Sequence, residues 1–527
     1  MLAFAGSMKT SAFLLTGALL LTNPGNITAQ EPKLSGIQWQ TTFGSAGRDY
    51  DESIDRLVAL LPLREGGFLF AGDSRSKPGG TKTSPHFGGF DFWVIRTDAQ
   101  GTIQWDRAFG GNDDERLLLV AELPNGTLRL GGHSLSRDSS NKSMPAKGAW
   151  LLDLDASGEK LLERVLTQES DPPIEVLQTA LDGSFFAGAT VNPLGPENPN
   201  GADFWILRVN ANGERIFEMV LGGPGPEKLS VLQPIADGGV LLGGNSASPP
   251  GRDKSSPYFG GLGDYWIVRL DAAGFKLWEN SFGGEGEDRL HAVVSLADGG
   301  FLIGGSSNSL PGGNKSSPNF GSSDFWIVRV AANGARLWDR SYGGGDLEEL
   351  AGVEWMQSGG FLLSGSSSSA PGASKLSAAA GLLDYWLVRI DSEGRKLWEK
   401  SFGGADRDQL AGVRQLADGG LLLGGSSESP ASGIKTAAQW GGIDFWVLRL
   451  EALDLSRLFA LPPRAGDTAF QFVLRAELDA TYAIEISNDA RNWTRWQTNR
   501  ATRGDIEWSD PELPDATHRF YRALRLE

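Results

Sequence analysis

Side chains able to carry out acid–base or metal chemistry are numerous in this chain, but they do not fall into the usual catalytic patterns. There is no cysteine, which excludes disulfides, a thiol nucleophile and cysteine-ligated zinc. The serine-rich string at 366–369 lacks the context of a nucleophile elbow. The histidines show no metal-site spacing. We therefore predict no cofactor and no metal ion, and favour a non-enzymatic protein. The histidines are His86, His133, His291 and His518.

Lysines and aromatic residues recur together in long loops rich in Ser, Gly and Pro. Aromatic rings stack on sugars and lysines attract acidic groups, so these loops are candidates for binding a glycan or a protein partner. The alternative is that the loops fold over the ends of the strands and bury their own aromatic side chains. The predicted ligand-binding residues are Lys82, Lys254, Tyr258, Lys315, Phe320, Lys435 and Trp440.

An acidic residue also recurs, six residues after an aromatic or aliphatic residue that is itself repeated along the chain. Converging carboxylates could bind calcium, which takes six or more oxygen ligands. One acid per repeat is spread around a wide ring, however, and nearby lysines offer simple pairing, so we interpret the acids as structural. The same carboxylates leave open a glycan-cleaving enzyme, which needs two carboxyls across a cleft. The acids are Asp49, Glu115, Glu227, Asp288, Glu348 and Asp408.

These loops belong to a repeat that occurs seven times. Each unit has four short runs with strand character, here called A to D, separated by turn signals. In one unit the runs are 229–235, 240–244, 264–270 and 276–282. A tryptophan marks strand C of every unit, and the second copy is degenerate. The markers are Trp93, Trp150, Trp205, Trp266, Trp326, Trp386 and Trp446.

The number of strands predicts how the repeats are arranged. A strand D follows strand C in the first six units, but none follows the seventh strand C, which ends near Leu450. An unpaired strand with the same pattern, Trp39 to Phe43, stands near the N-terminus. Pairing it with the last unit would close a ring and remove open sheet edges. The sequence therefore predicts an all-β, seven-bladed β-propeller over residues 36–451.

An arginine follows the strand C tryptophan by three residues in six units, and Asp153 replaces it in the degenerate one. We interpret this arginine as a structural ion-pair partner and not as a ligand contact. Glycines that close strand B, such as Gly244, indicate close approach to the bulky residues of strand C. The arginines are Arg96, Arg208, Arg269, Arg329, Arg389 and Arg449.

The N-terminal residues 1–29 have the pattern of a secretory signal peptide, with Lys9 before an apolar run at 11–22 and small residues near Ala29. A membrane anchor is the alternative, but the run is shorter than the roughly 20 residues that a span needs. The net charge of −17 argues against a nucleic-acid partner. We predict a secreted or cell-surface monomer without a membrane span after signal cleavage.

The C-terminal part differs in pattern from the repeats. Residues 452–466 include Pro462 and Pro463 and are predicted to form a linker. Alternating runs at 469–474, 481–486, 495–498, 505–508 and 519–526 then indicate short strands. These runs predict a small β-sandwich over residues 467–527, with a role in attachment or presentation.

The repeat Gly-Gly-x-Asp-Tyr/Phe-Trp-x-x-Arg-x-Asp-x-x-Gly-x-x-x-Trp-x-x-x-Phe-Gly-Gly resembles those of secreted bacterial tandem-repeat β-propeller proteins. The tail, with 482–489 and 519–523, is similar to the immunoglobulin-like or fibronectin-like modules on such proteins. A weaker likeness joins 270–278 to quinoprotein repeats, whose quinone-contacting cysteines are absent here. These resemblances imply an architecture and no catalytic residues.

The leading hypothesis is an exported, non-enzymatic binding or scaffold propeller that engages a glycan or protein partner at the cell surface. The contact would lie on the face that carries the long loops between strands B and C, because functional residues concentrate on loops held by a rigid scaffold. The alternatives are a secreted polysaccharide-active hydrolase or lyase that uses carboxylates of that face, and a purely structural surface protein.

Overall fold

A computed structural model describes residues 36–46, 53–137, 139–192, 201–357, 359–451, 457–460, 470–475, 481–487, 493–500, 505–510 and 520–526. The predicted signal peptide at 1–29 and Asp49 lie outside these residues. The described parts contain strands, bridges and turns but no helix, and hence no helix long and apolar enough to cross a bilayer.

Twenty-eight strands form the repeat region, each only four to eight residues long. They are β1 (Ile37–Phe43), β2 (Asp55–Pro62), β3 (Phe68–Ser74), β4 (Asp91–Thr97), β5 (Ile103–Phe109), β6 (Glu115–Glu122), β7 (Leu128–Ser134), β8 (Gly148–Leu154), β9 (Lys160–Val165), β10 (Val176–Thr179), β11 (Phe185–Val191), β12 (Asp203–Val209), β13 (Arg215–Leu221), β14 (Glu227–Pro234), β15 (Val240–Ser246), β16 (Asp264–Leu270), β17 (Lys276–Phe282), β18 (Asp288–Ser295), β19 (Phe301–Ser307), β20 (Asp324–Val330), β21 (Arg336–Tyr342), β22 (Glu348–Trp355), β23 (Phe361–Ser367), β24 (Asp384–Ile390), β25 (Lys396–Phe402), β26 (Asp408–Gln415), β27 (Leu421–Ser427) and β28 (Asp444–Leu450).

These strands form seven antiparallel sheets of four strands, which are the blades of the propeller. Six blades use four consecutive strands, from β2–β5 to β22–β25. The seventh has the order β1-β28-β27-β26. The predicted all-β, seven-bladed propeller is therefore confirmed.

The first strand of the described residues pairs with the last strand of the repeat region. β1 is antiparallel to β28, with Thr42 opposite Trp446 and Phe43 opposite Phe445. Phe43 is buried in a cluster that also contains Phe70 of β3. Thus β1 contributes both main-chain hydrogen bonds to the seventh blade and a core side chain between that blade and the first.

Neighbouring blades are joined by aromatic pairs. In six blades the aromatic residue before the strand C tryptophan packs on the tryptophan of the next blade, because adjacent residues of a strand point to opposite faces. In the second blade Ala149 takes this position. Tyr265 and Trp326 have ring centroids 4.7 Å apart, and Phe445 and Trp93 are 4.9 Å apart. Such a pair adds about 0.5–1.5 kcal/mol beyond the area it buries. The marker tryptophan and the aromatic residue before it thus fill the two inter-blade layers on either side of a blade.

Five of the six strand C arginines form ion pairs, as the sequence predicted, and Arg389 donates hydrogen bonds to the carbonyl oxygens of Phe361 and Ile390. Arg208 contacts Asp182 in the turn between β10 and β11, with 2.9 Å between nitrogen and oxygen. In the second blade the charges are exchanged: Asp153 accepts two hydrogen bonds of 2.6 and 2.7 Å from Arg129 of β7. The second blade therefore keeps an ion pair at this place, with the acid on strand C and the arginine on strand B.

The glycines that close strand B lie close to another residue, as predicted. At Gly244, however, the nearest atom belongs to strand A and not to strand C. A Cβ atom added to Gly244 would lie 1.9 Å from the carbonyl oxygen of Lys228 on β14. The register of β14 and β15 shifts between Leu229 and Val231, and this bulge brings the carbonyl inward. The glycine thus accommodates the backbone of strand A more than a side chain of strand C.

The residues after 451 belong to a second compact unit. Its strands are β29 (Arg457–Ala460), β30 (Phe470–Arg475), β31 (Thr481–Ser487), β32 (Thr494–Arg500), β33 (Asp505–Asp510) and β34 (Phe520–Leu526). They form two three-stranded sheets, β29-β30-β33 and β32-β31-β34, whose residues share one apolar cluster. β29 lies within the span that we predicted as a linker, because four residues are too few to give an alternating pattern.

Candidate functional site on the long-loop face

Six of the long loops between the second and third strands of a blade have the same turn. In the fourth blade, Gly251 and Lys254 exchange main-chain hydrogen bonds of 2.7 and 3.1 Å. The residue two before the lysine has a positive φ in all six, 54° at Arg252 for example. The loop of the third blade lies mostly outside the described residues. The shared turn fixes where each lysine enters its blade.

Each of these loops is attached to the preceding blade. Asn314, which precedes Lys315, accepts a hydrogen bond of 2.9 Å from the amide of Gly283 and donates one of 2.8 Å to the carbonyl of Ser281. Asn141 makes the equivalent pair of bonds to Gly110 and Ala108. The loops therefore cover the blade ends as an ordered layer.

The four lysines of the predicted set are buried, with 1 to 3% of their surface exposed. Lys254 Nζ donates to the carbonyl oxygens of Ser248, Ser256 and Pro257 at 2.9 to 3.0 Å. Burial lowers the pKa of Lys82 and of Lys435 to about 8. A ligand on the loop surface would not reach these ammonium groups. The expectation that Lys82, Lys254, Lys315 and Lys435 face such a ligand therefore requires correction, because the loops fold over them.

The aromatic members of the set remain accessible. Phe320 is 36% exposed and Trp440 is 41% exposed, and Tyr258 is partly exposed. The main-chain amides of Phe320 and Trp440 each donate a hydrogen bond of 2.6 Å to the aspartate that begins the following strand, Asp324 or Asp444. These bonds position the backbone of Phe320 and of Trp440 in their loops. Ligand binding by these three residues stays a prediction.

Aliphatic side chains accompany the exposed aromatics. Leu262 of the fourth blade is 76% exposed, and Leu310 of the fifth is 69% exposed. Leu376 and Leu382 of the sixth blade are 61 and 63% exposed. Sequence inspection missed these leucines, because exposure of a loop leucine cannot be read from its neighbours. They add apolar surface to the long-loop face.

Buried carboxyl pairs lie beneath the loops, between one blade and the next. Asp288, at the start of β18, accepts hydrogen bonds from Ser307, Ser309 and the amide of Gly284. Asp264, at the start of β16, accepts one from the amide of Phe259, but its Oδ1 has no hydrogen-bond donor. Burial, together with the charge of Asp288, raises the pKa of Asp264 to about 7.

The same arrangement recurs around the ring. Oδ1 of the strand C aspartate is buried without a donor in five blades. An ionised carboxylate only accepts hydrogen bonds, so protonation is what would let this oxygen donate to the neighbouring acid. Asp55, the first residue of β2, is the equivalent in the first blade of the recurring acids, for which we had predicted Asp49. The five aspartates are Asp91, Asp264, Asp324, Asp384 and Asp444.

The sequence identified most of these acids but not their pairing, because strand C of one blade is distant in sequence from strand A of the next. Asp288 and Asp264 are fully buried, as are Asp324 and Glu348. These carboxyls therefore act as internal acceptors in the structure, and they do not face an open cleft. Among the described residues, no group of three or more His, Asp or Glu side chains is placed to hold a metal ion.

A test of the lysines is the substitution Lys254→Ala. It should destabilise the protein by about 1–3 kcal/mol, because three buried carbonyls lose their hydrogen-bond donor. Urea unfolding followed by tryptophan fluorescence measures the change. Lys228→Ala, at an exposed lysine of β14, is the control and should have little effect. Unchanged stability of Lys254→Ala would contradict the structural role.

Comparisons with known proteins identify no family for this chain. No protein-family model matches it, and no curated protein matches its sequence. The Neurospora crassa Pan2 WD40 domain is 8% identical, with 75% of this chain and 89% of that chain covered and a TM-score of 0.41. A puromycin hydrolase is 11% identical, with 83 and 62% covered and a TM-score of 0.41.

A third solved structure is an α-L-arabinanase of Penicillium chrysogenum in complex with arabinobiose. It is 11% identical, with 79% of this chain and 98% of that chain covered and a TM-score of 0.37. At such scores these similarities support no conclusion about activity.

Proposed function

We propose that this protein is an exported, non-enzymatic propeller that binds a partner on its long-loop face. The supporting observation is the set of exposed apolar side chains on loops anchored to neighbouring blades. Phe320, Leu382 and Trp440 expose 36, 63 and 41% of their surface there. Aromatic and aliphatic side chains on an ordered surface are typical of protein interfaces, whose centres are depleted of charge.

A protein partner fits this surface better than an acidic glycan. The lysines that would attract acidic groups are buried, so the face presents apolar groups without those ammonium charges. A neutral glycan that stacks on Tyr258, Phe320 or Trp440 is the second outcome that the test distinguishes. Burial of the carboxyl pairs, which are 0 to 1% exposed, disfavours the polysaccharide-active enzyme.

We also propose how the protein is exported and how its parts are assembled. We place the chain with the secreted bacterial tandem-repeat propellers, with a cleaved signal peptide, a monomeric state and a location outside the cell or on its surface. Pairing of β1 with β28 would close the ring. The two C-terminal sheets would form an immunoglobulin-like or fibronectin-like sandwich that serves as tether or spacer. The repeat pattern and the shared apolar cluster of those sheets support these assignments.

The binding proposal predicts that substitutions on the long-loop face reduce partner capture without loss of stability. The double variant Phe320→Ser, Leu376→Ser should lose at least tenfold in retention, measured by a glycan array and by cross-linking pull-down from cell-surface extracts. Leu161→Ser is a matched control, because Leu161 of β9 is 61% exposed, as is Leu376. Retention that is equal in the double variant and the control would contradict the proposal. Retention by the array alone would identify the partner as a glycan.

A further inference from the structure

A cavity of about 330 Å³ lies among the first strands of five blades. Its walls come from β10, β14, β18, β22 and β26, with one residue of β23. The volume is within the range of about 300–1,000 Å³ that is usual for small-molecule sites. None of the predicted ligand-binding residues lines this cavity, so it is distinct from the long-loop face.

Polar side chains line the cavity in these blades. Gln178, Gln233, Glu354 and Arg414 occupy equivalent positions near the ends of β10, β14, β22 and β26, and His291 projects from β18. Amides, carboxylates and guanidinium groups are planar and offer two hydrogen-bonding atoms side by side. Gln233 Nε2 and Arg414 Nη1 already donate to the carbonyl oxygens of Pro234 and Val413. The remaining polar atoms of these side chains can bind hydroxyl groups of a ligand.

Glu354 lies at the cavity wall and is held in place by two residues of the next blade. Its Oε1 accepts a hydrogen bond of 2.9 Å from the amide of Gln415 in the next blade. Its Oε2 is buried and forms an ion pair with Arg414 at 3.6 Å, without a hydrogen bond. The carboxylate is thus held between the amide of Gln415 and the guanidinium of Arg414, which fixes the orientation of both charged groups at the cavity wall.

The cavity has no net charge. Glu354 and Arg414 are the only Asp, Glu, Lys or Arg residues among the described ones that line it. The protein around His291, with the nearby Arg289 and Lys228, lowers the pKa of this exposed imidazole, which is therefore neutral at physiological pH. Small apolar side chains, including Val293 and Val353, lie between the polar ones. A neutral ligand with many hydroxyl groups and apolar C–H surface matches such a lining.

We infer that this cavity is a binding site for a neutral mono- or disaccharide, separate from the partner-binding face. The hydroxyl groups of the sugar would bind to Gln178, Gln233, Glu354 and Arg414, and its C–H groups would contact the valines. This inference does not depend on the proposed function, because loss of the long-loop contacts would leave the cavity unchanged.

The test uses the full chain and a panel of neutral sugars: glucose, galactose, cellobiose and lactose. Glucosamine and glucuronate are the charged comparators. We expect at least one neutral sugar to bind with a Kd of about 1 mM or tighter in calorimetry or saturation-transfer NMR. Gln233→Leu and Glu354→Gln should each weaken this binding at least tenfold. Arg395→Ala, at an exposed arginine outside the cavity, is the control and should leave it unchanged.

Three results would overturn the inference. They are failure of all four neutral sugars to bind, binding that is insensitive to both cavity substitutions, and binding of the charged comparators only. Thermal unfolding of each variant shows whether a loss of binding reflects loss of the fold. Glu354→Gln preserves the shape of the side chain and provides the second variant if Gln233→Leu is unstable.

Discussion

Raising the pH from about 5 to about 8 should destabilise the propeller by several kcal/mol. The cause is the set of buried carboxyls between blades. Burial raises the pKa of Asp264, Asp324 and Asp444 to about 7, and that of Asp55 to about 6. Because these acids titrate near pH 4 in the unfolded chain, the folded protein binds more protons between about pH 4 and 7. Its stability therefore falls as the pH rises through that window.

Other groups define the limits of this window. Burial raises the pKa of Asp339, but hydrogen bonds from Ser316 and Ser317 outweigh it and lower the pKa to about 2. Its contribution is lost in acid, so stability should be greatest near pH 4 to 5. Above about pH 8 the buried Lys82 and Lys435 act in the opposite direction, since the unfolded chain then binds more protons than the folded protein.

The triple variant Asp264→Asn, Asp324→Asn, Asp444→Asn tests this explanation. An amide has the shape of a neutral carboxylic acid and can donate to the neighbouring acid, so the variant should lose much of the pH dependence. Thermal melts at several pH values measure the slope. Glu285→Gln, at an exposed acid of the loop before β18, should leave the slope unchanged. If the slope were equal in the triple variant and the wild type, the three aspartates would not be the cause of the pH dependence.

Removal of β1 should prevent the chain from forming a stable monomeric ring. The deletion exposes the edge of β28 and removes Phe43, which is 1% exposed. Loss of a buried phenylalanine side chain alone costs about 3–5 kcal/mol, and an open strand edge favours association. We expect a much lower melting temperature and oligomers in light scattering.

The control for this deletion removes residues 1–35 and keeps β1. A synthetic peptide of residues 36–45, added in excess, should restore the melting temperature of the β1-deleted chain, because binding to the folded state stabilises it. A deletion variant that remains monomeric with an unchanged melting temperature would show that β28 does not need its partner.

The repeat count predicted the fold because every blade carries the same local signals. Strands β16 and β17 begin and end at the predicted residues, since alternation and Gly-containing turns define both. The position of Trp39 near Arg449 also follows from counting strands. β29 was not predicted, because its short length gives no periodic signal.

The site was less predictable than the fold. Periodicity located Lys254 and Phe320 in equivalent loops, but it does not tell whether a loop side chain turns inward or outward. The structure places Lys254 in the interior and leaves Phe320 partly exposed. The cavity residues Gln233 and Glu354 lie at a position of strand A where other blades have Leu61 or Ala121. A binding position that differs between repeats cannot be found by comparing them.

The pairing of β1 with β28 also determines when the last blade can fold during synthesis. The two strands are separated by the rest of the propeller, so β1 leaves the ribosome long before its partner exists. Contacts between distant parts of a chain form slowly. Gln38, Gln40 and Thr41 give β1 a polar character that suits a period without a partner. We expect the last blade to complete folding only after Leu450 has been translated.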